Sequence, residues 1–231
     1  MTNLAGLSVL PDQDLTPPAA SAATSVVAPT PKGQVMRARL LEAGGTAFSE
    51  YGYDRTRVAD VARIAGTSHG NFYRHFRDKS DLLRGVLEQL YETLARSTAR
   101  TPGSQSAPDE AELVRRNIAF FHLYAEHRHL LRVAREAAAQ GASGGFLDYW
   151  LRMRRIFTDR TTLWLQRLSD EGLVQPGLSA EMAAEALGAM TEQLAYVQVG
   201  LALQRPRPER LDALGHACGL IWYRTLFAGA G

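Results

Sequence analysis

From Gln34 onward no run of the chain alternates apolar and polar residues, and β-branched residues are scarce, so nothing in it can pair into a sheet. Apolar residues recur instead at three- and four-residue spacing, interrupted by Gly and Pro. An all-α fold of about nine helices is the expectation. The first helix runs from about Gln34 to Tyr51, with Met36, Leu40, Ala43, Ala47, Phe48 and Tyr51 on one face and Gly52 as a left-handed stop. A second starts near Thr56 as N-cap, buries Val58, Val61, Ala62 and Ala65, and ends at Gly66. A third covers Ser68 to Phe76, buried through Phe72 and Phe76. Asp78 caps a fourth, with Asp81 in a capping-box-like position and Leu83, Val86, Leu87, Leu90 and Leu94 on one side. A Thr-Pro-Gly-Ser linker (101–104) follows. Five more helices are expected at about 109–126, 128–140, 145–171, 179–203 and 207–228, with breaks at His127, at Gly141 to Gly145, at Gly172 to Gly177, and at Pro206 and Pro208. Residues 1–31, rich in Ala, Ser, Thr and Pro, read as a disordered tail.

Charge is unevenly distributed along the 231 residues. Residues 32–100 carry 12 Lys and Arg against 8 Asp and Glu, whereas 101–231 carry 14 of each. The N-terminal helical segment is therefore the part suited to a polyanion. No apolar run reaches the ~18–20 residues of a membrane span, and no basic segment precedes an apolar core at the start, so neither membrane nor export is expected. Cys218 is the lone cysteine; it excludes an intrachain disulfide and fits a reducing cytoplasm.

Two short helices joined by a tight glycine turn, the second backed by aromatic residues, describe a helix-turn-helix. With Phe72 and Phe76 inward and ~100° per residue, Gly70 and Arg74 point directly outward. The outward face is then His69, Gly70, Asn71, Tyr73, Arg74 and His75, hydrogen-bonding side chains plus a glycine that permits close approach to base edges.

The stretch from Leu40 to Leu90 resembles the N-terminal domain of the TetR family of bacterial regulators. The resemblance lies in Thr56-Arg57-Val58-Ala59-Asp60-Val61-Ala62, in Ala65-Gly66-Thr67-Ser68-His69-Gly70-Asn71-Phe72-Tyr73-Arg74-His75-Phe76, and in Asp78-Lys79-Ser80-Asp81-Leu82-Leu83. It implies phosphate contacts from Thr56, Thr67, Tyr73, His75 and Lys79. It also implies base reading or close approach by Ser68, His69, Asn71 and Arg74. Arg74 suits guanine and Asn71 adenine. Two positions depart from the family's pattern: His69 stands where Lys or Arg is frequent, and Ala59 where a polar side chain often reads, so that Arg57 is the candidate substitute. The operator sequence therefore stays open.

The resemblance further implies three regions: a tail (1–31), a helix-turn-helix domain (32–78), and a helical ligand-binding and dimerisation domain (79–231) entered through a connector helix, 79–98. A homodimer on a palindromic operator in the cytoplasm, at the nucleoid, follows from it. So does an effector-controlled repressor needing no cofactor. Phe121, Tyr124, Trp150, Phe157, Trp164 and Tyr196 are candidate cavity residues for a hydrophobic or aromatic effector, with His122 and Arg154 as polar anchors. The last two helices are the candidate dimer pair, through Leu187, Met190, Leu194 and Val197 on one and Leu214, Cys218, Ile221 and Trp222 on the other. The alternative is a helical carrier or enzyme using the same cavity. Catalytic motifs do not support an enzyme. Gly141-Ala142-Ser143-Gly144-Gly145 has the nucleophile-elbow spelling but follows a helix instead of a strand. His122, His127 and His129 lack a carboxylate or thiol at metal-ligand spacing.

Overall fold

The computed structural model describes residues 30–97, 107–139, 145–175 and 177–227, and these residues form nine α-helices and no strand. Helix α1 (Pro31–Arg55) starts earlier than its apolar stripe indicates, because Pro31 lies in its first turn and the Thr30 hydroxyl accepts from the Gly33 N–H at 3.2 Å. Gly52 interrupts it at φ 77°, the left-handed stop that was expected, and one further turn follows. Helix α2 (Val58–Ile64) is capped by Arg57 instead of Thr56. Gly66, at φ 63°, turns the chain into α3 (His69–Phe72), whose cap Ser68 accepts from the Asn71 N–H at 3.2 Å. Helix α3 is shorter than periodicity predicts. Beyond Phe72 the chain tightens into turns in which the N–H groups of Arg74 and His75 donate to carbonyls three residues back. Helix α4 (Lys79–Ser97) is capped as expected. The Asp78 carboxylate accepts from Asp81 N–H at 2.7 Å, and Asp81 reaches back to the Arg77 N–H at 3.0 Å.

The rest is α5 (Glu110–Glu126), α6 (Arg128–Ala139), α7 (Phe146–Asp170), α8 (Ala180–Ala195) and α9 (Pro208–Phe227). Helix α8 widens at its end into a π-helical turn, Tyr196–Gly200, which the sequence pattern does not disclose. The 101–104 linker and most of the 141–145 segment lie outside the described residues.

One hydrophobic core runs across the expected boundary at residue 78. It joins Leu40, Phe48, Phe72 and Phe76 to Leu82, Leu83 and Leu87 of α4, and continues through Leu130, Val133 and Ala137 of α6 to Phe146 and Met153 of α7. Each fully buried phenylalanine contributes on the order of 2 kcal/mol by leaving water. Helices α1 and α4 cross closely: a Cβ at Gly44 would stand 2.8 Å from Leu82, and one at Gly85 would stand 2.8 Å from Leu41. Helices α5 and α9 also lie close together, backbone against backbone. A Cβ at Gly215 would overlap the Ile118 backbone, and one at Gly219 the Val114 backbone. Two further clusters close the C-terminal half, one around Leu165, Leu187 and Leu226, the other around Phe121, Leu211 and Cys218.

Candidate nucleic-acid interface and the cavity behind it

Phe72 and Phe76, at 0% and 2% exposure, anchor the α3 segment. That anchoring turns Ser68, His69, Gly70, Tyr73 and Arg74 into solvent, and Arg57 at the start of α2 is exposed with them. Tyr73 is 51% exposed although its ring packs edge-on against both Phe72 and His69. A Cβ at Gly70 would meet nothing within 4 Å, so the backbone here is bare. Asn71 and Thr67 are half-buried and bonded to each other, the Asn71 amide donating to the Thr67 hydroxyl at 2.8 Å. Most of the polar face read from the sequence is thus brought together on one surface.

Two residues are placed otherwise. Thr56 is 2% exposed, and its hydroxyl donates to the carbonyls of Gly52 at 2.6 Å and Ala47 at 3.2 Å. Its side chain closes the end of α1 and does not face solvent, a correction to its reading as a phosphate contact. Lys79 stays half-buried at the start of α4. Its ammonium donates to the carbonyls of Tyr53 at 2.6 Å and Asp54 at 3.3 Å and lies 4.3 Å from the centre of the Tyr53 ring. Desolvation lowers its pKa against the raising effect of Asp54. Its third N–H remains for an anion.

His75 is half-buried, and desolvation together with the positive charges of Arg37 and Arg74 lowers its pKa. Sequence reasoning missed the first turns of α1 as neighbours of this face. A Cβ at Gly33 would lie 4.0 Å from the His75 ring, and the Arg37 guanidinium sits 5.0 Å above the Phe76 ring. That placement brings exposed Lys32 and Arg37 to the same edge. Thr30 before Pro31 was the available signal.

A cavity of about 410 Å³ lies between α4, α5, α7 and α8. Of the candidate cavity residues, Tyr124, Trp150, Arg154, Phe157 and Trp164 line it; Phe121, His122 and Tyr196 do not. Phe121 is wholly buried on the α9 side of α5. His122 Nε2 lies 2.7 Å from the Asp212 carboxylate on the outer side, and Tyr196 lies under Arg135, 4.0 Å from ring centre to guanidinium. The sequence search, directed at aromatic residues, overlooked polar lining residues, chiefly Arg116, Asn117, Arg135 and Arg160. An arginine on an amphipathic helix normally reads as a solvated group.

The candidate dimer residues divide three ways. Leu187, Leu214 and Cys218 are buried within the single chain, where burial also raises the Cys218 pKa. Met190, Leu194 and Trp222 are half-buried against those same clusters, and Trp222 donates its indole N–H to the Thr191 hydroxyl at 2.9 Å. Only Val197 and Ile221 are exposed, at 44% and 45%. The exposed stripe is a neighbouring one of smaller residues: Met182, Ala186 and Gln193 on α8, then Val197, and Ala213, Ala217 and Ile221 on α9.

Among the described residues no group of three or more His, Cys, Asp or Glu is placed to hold a metal ion. No helix there is long and apolar enough to cross a membrane.

Residues 40–86 match the family pattern described as bacterial regulatory proteins, tetR family. The HTH-type transcriptional regulator TtgR of Pseudomonas putida is 40% identical over 62 residues, which is 27% of this chain and 30% of that protein. The chain thus aligns with about a third of the length of these curated relatives. The likeness of the solved structures extends further. SmeT, the repressor of the Stenotrophomonas maltophilia multidrug efflux pump SmeDEF, superposes with a TM-score of 0.64 at 23% identity, over 82% of this chain and 89% of that one. A SmeT–triclosan complex gives 0.67 at 22% identity, over 84% and 92%. The tetR-family pattern thus lies at the N-terminal helices, residues 40–86, and over four-fifths of its length the chain shares the fold of these solved structures.

Proposed function

We propose that the protein is a sequence-specific, DNA-binding transcriptional regulator, a repressor whose operator affinity changes when a small molecule occupies the cavity of the C-terminal helices. One observation carries the reading. Buried Phe72 and Phe76 fix an exposed face of Ser68, His69, Gly70, Tyr73 and Arg74 after a glycine turn, hydrogen-bonding side chains of the kind that read base edges in the major groove. Arg74 and Asn71 read bases. Tyr73, His75, Arg57 and the third N–H of Lys79 hold phosphates, joined by Lys32 at the start of α1. The repressor sense and the small-molecule control are taken over from SmeT, the efflux-pump repressor solved with triclosan.

A palindromic operator needs two reading faces about one helical turn apart, hence a homodimer. The exposed stripe of α8 and α9 supports this, because alanines at 186, 213 and 217 allow two copies of the pair to approach closely as a four-helix interface. The protein acts at the nucleoid in the cytoplasm, and the cavity is a sensor site, not an active site. The effector must prefer the DNA-incompetent arrangement by only a few kcal/mol to release the operator.

Selection of binding sites from random duplex DNA, followed by a salt titration on the winner, tests the proposal. A palindromic consensus whose affinity falls about tenfold or more per doubling of salt is expected. A well-folded dimer that enriches no sequence at low salt would sink it and bring forward a carrier or enzyme built on the cavity.

A further inference from the structure

The cavity offers more hydrogen-bond donors than acceptors. Five arginines line it (Arg116, Arg135, Arg154, Arg160 and Arg167) against two carboxylates, Glu185 and Glu192. Arg154, beside Trp150, pairs with Glu192 at 3.0 Å, and Arg135 donates to the neutral Gln193 side-chain carbonyl at 2.7 Å. Arg116 pairs with Glu112 at 2.8 Å. The Trp164 end differs. Arg160, Trp164 and Arg167 fall at i, i+4 and i+7 on the cavity face of α7. Arg160 donates to the Ala95 carbonyl at 3.3 Å, and neither it nor Arg167 is within ion-pair distance of a carboxylate among the described residues.

Trp164 supplies an independent observation. It is 8% exposed, and its buried indole N–H has no hydrogen-bond partner. A buried donor left unpaired costs about 1–3 kcal/mol, which an acceptor on a ligand would recover. Indole and guanidinium are donors only, so the unmet demand at this end is for an acceptor, preferably a charged one. The remaining lining is aromatic: Phe120, Tyr124, Trp150 and Phe157. Burial holds the Tyr124 hydroxyl well above its ordinary pKa, so it stays neutral and adds no negative charge. An effector that is only hydrophobic, as the aromatic residues in the sequence suggest, would leave these donors unmet.

We propose that the cavity receives an amphiphilic organic anion, its apolar body against Phe120, Trp150 and Phe157 and its acid group at the Arg160–Trp164–Arg167 end. This rests on the cavity being the effector site. Arg167 lines the cavity and is exposed, so the cavity meets solvent at that end, where the charged group would trail the apolar body in.

Two fluorescent probes that differ by one acid group test the inference on the full chain. They are anilinonaphthalene sulfonate and the uncharged N-phenylnaphthylamine. The sulfonate should bind at least about tenfold more tightly, the ratio expected of one or two charge-assisted hydrogen bonds. Arg160→Gln combined with Arg167→Gln should remove most of that advantage and leave the neutral probe unchanged. Arg167→Gln alone, at an exposed position, should remove part of it without risk to the fold. Gly188→Phe should abolish both, because Gly188 lines the cavity and a Cβ there would point into open space. Equal affinities, or a sulfonate advantage that survives loss of both arginines, would overturn the anion preference. If the neutral probe still binds in a Gly188-dependent way, the sensor reading stands without it. If neither probe binds, both are overturned.

Discussion

Lys79 ties the start of α4 to the last turn of α1 by donating to Tyr53 and Asp54, and the proposed function assigns the same ammonium a phosphate contact. Lys79→Gln should therefore do two things: lower the unfolding free energy by about 1–2 kcal/mol, since two charge-assisted bonds are lost at a half-buried site, and weaken binding to all duplexes alike. Chemical denaturation and a comparison of operator with random DNA read the two separately. A loss confined to one base pair would show that Lys79 reads sequence instead. His75 gives a pH prediction. Its folded pKa lies below the ordinary 6.5 through desolvation and the charges of Arg37 and Arg74. Its contribution to stability is thus complete above 6.5 and is lost as pH falls towards the folded value. DNA binding has the opposite sign, because a protonated His75 gains a phosphate. Operator affinity at fixed salt should rise as pH is lowered from 7.5 towards 6, and His75→Gln should flatten that rise. The residue types at Thr56 and Lys79 were legible in the sequence, but their directions were not. Each bonds a carbonyl of α1, nine and 26 residues away in the chain, and spacing along one helix carries no information about such partners.

At the scale of elements, amphipathic spacing was enough to locate the helices, because each buries one stripe. The ends of α2 and α4 were legible through glycine and capping aspartate. The shortness of α3 was not. Phe72 and Phe76 are four residues apart and satisfy a regular helix, yet the intervening N–H groups bond three residues back. The reading segment is one helical turn followed by tight turns, anchored by two rings. Arg74→Ala should cost about 1–3 kcal/mol at its matching base pair and relax selection there, leaving nonspecific binding nearly intact. Thr67→Val should have a milder effect of the same kind, because the Thr67 hydroxyl holds the Asn71 amide. Site selection with each variant checks both. The α8–α9 pair shows a related limit. Both of its apolar faces obey helical spacing, and only the fold reveals that Leu187, Leu214 and Cys218 serve the inner one.

For the whole molecule, Ala217→Glu tests the assembly. It places a carboxylate at an exposed position on the outer face of α9, so the monomer should fold and melt normally while sedimentation shows loss of the dimer and operator binding falls with it. A variant that stays dimeric would move the interface elsewhere. Occupancy of the cavity has its own reporter. All three tryptophans of the chain, Trp150, Trp164 and Trp222, line the cavity, so intrinsic fluorescence should change on effector binding and remain silent on DNA addition alone. The glycines at 215 and 219 bear on how the two ends communicate. One side of α5 forms a cavity wall through Leu113, Arg116, Asn117 and Phe120, and the other is laid against α9 with no side chain between the backbones. A methyl group there, as in Gly215→Ala, should cost about 1–3 kcal/mol in thermal melting. The two helices are in effect laminated into a single stiff plate. Pressure from inside the cavity has no soft layer there in which to dissipate, and a tilt of the wall is delivered undiminished to the outer surface of α9.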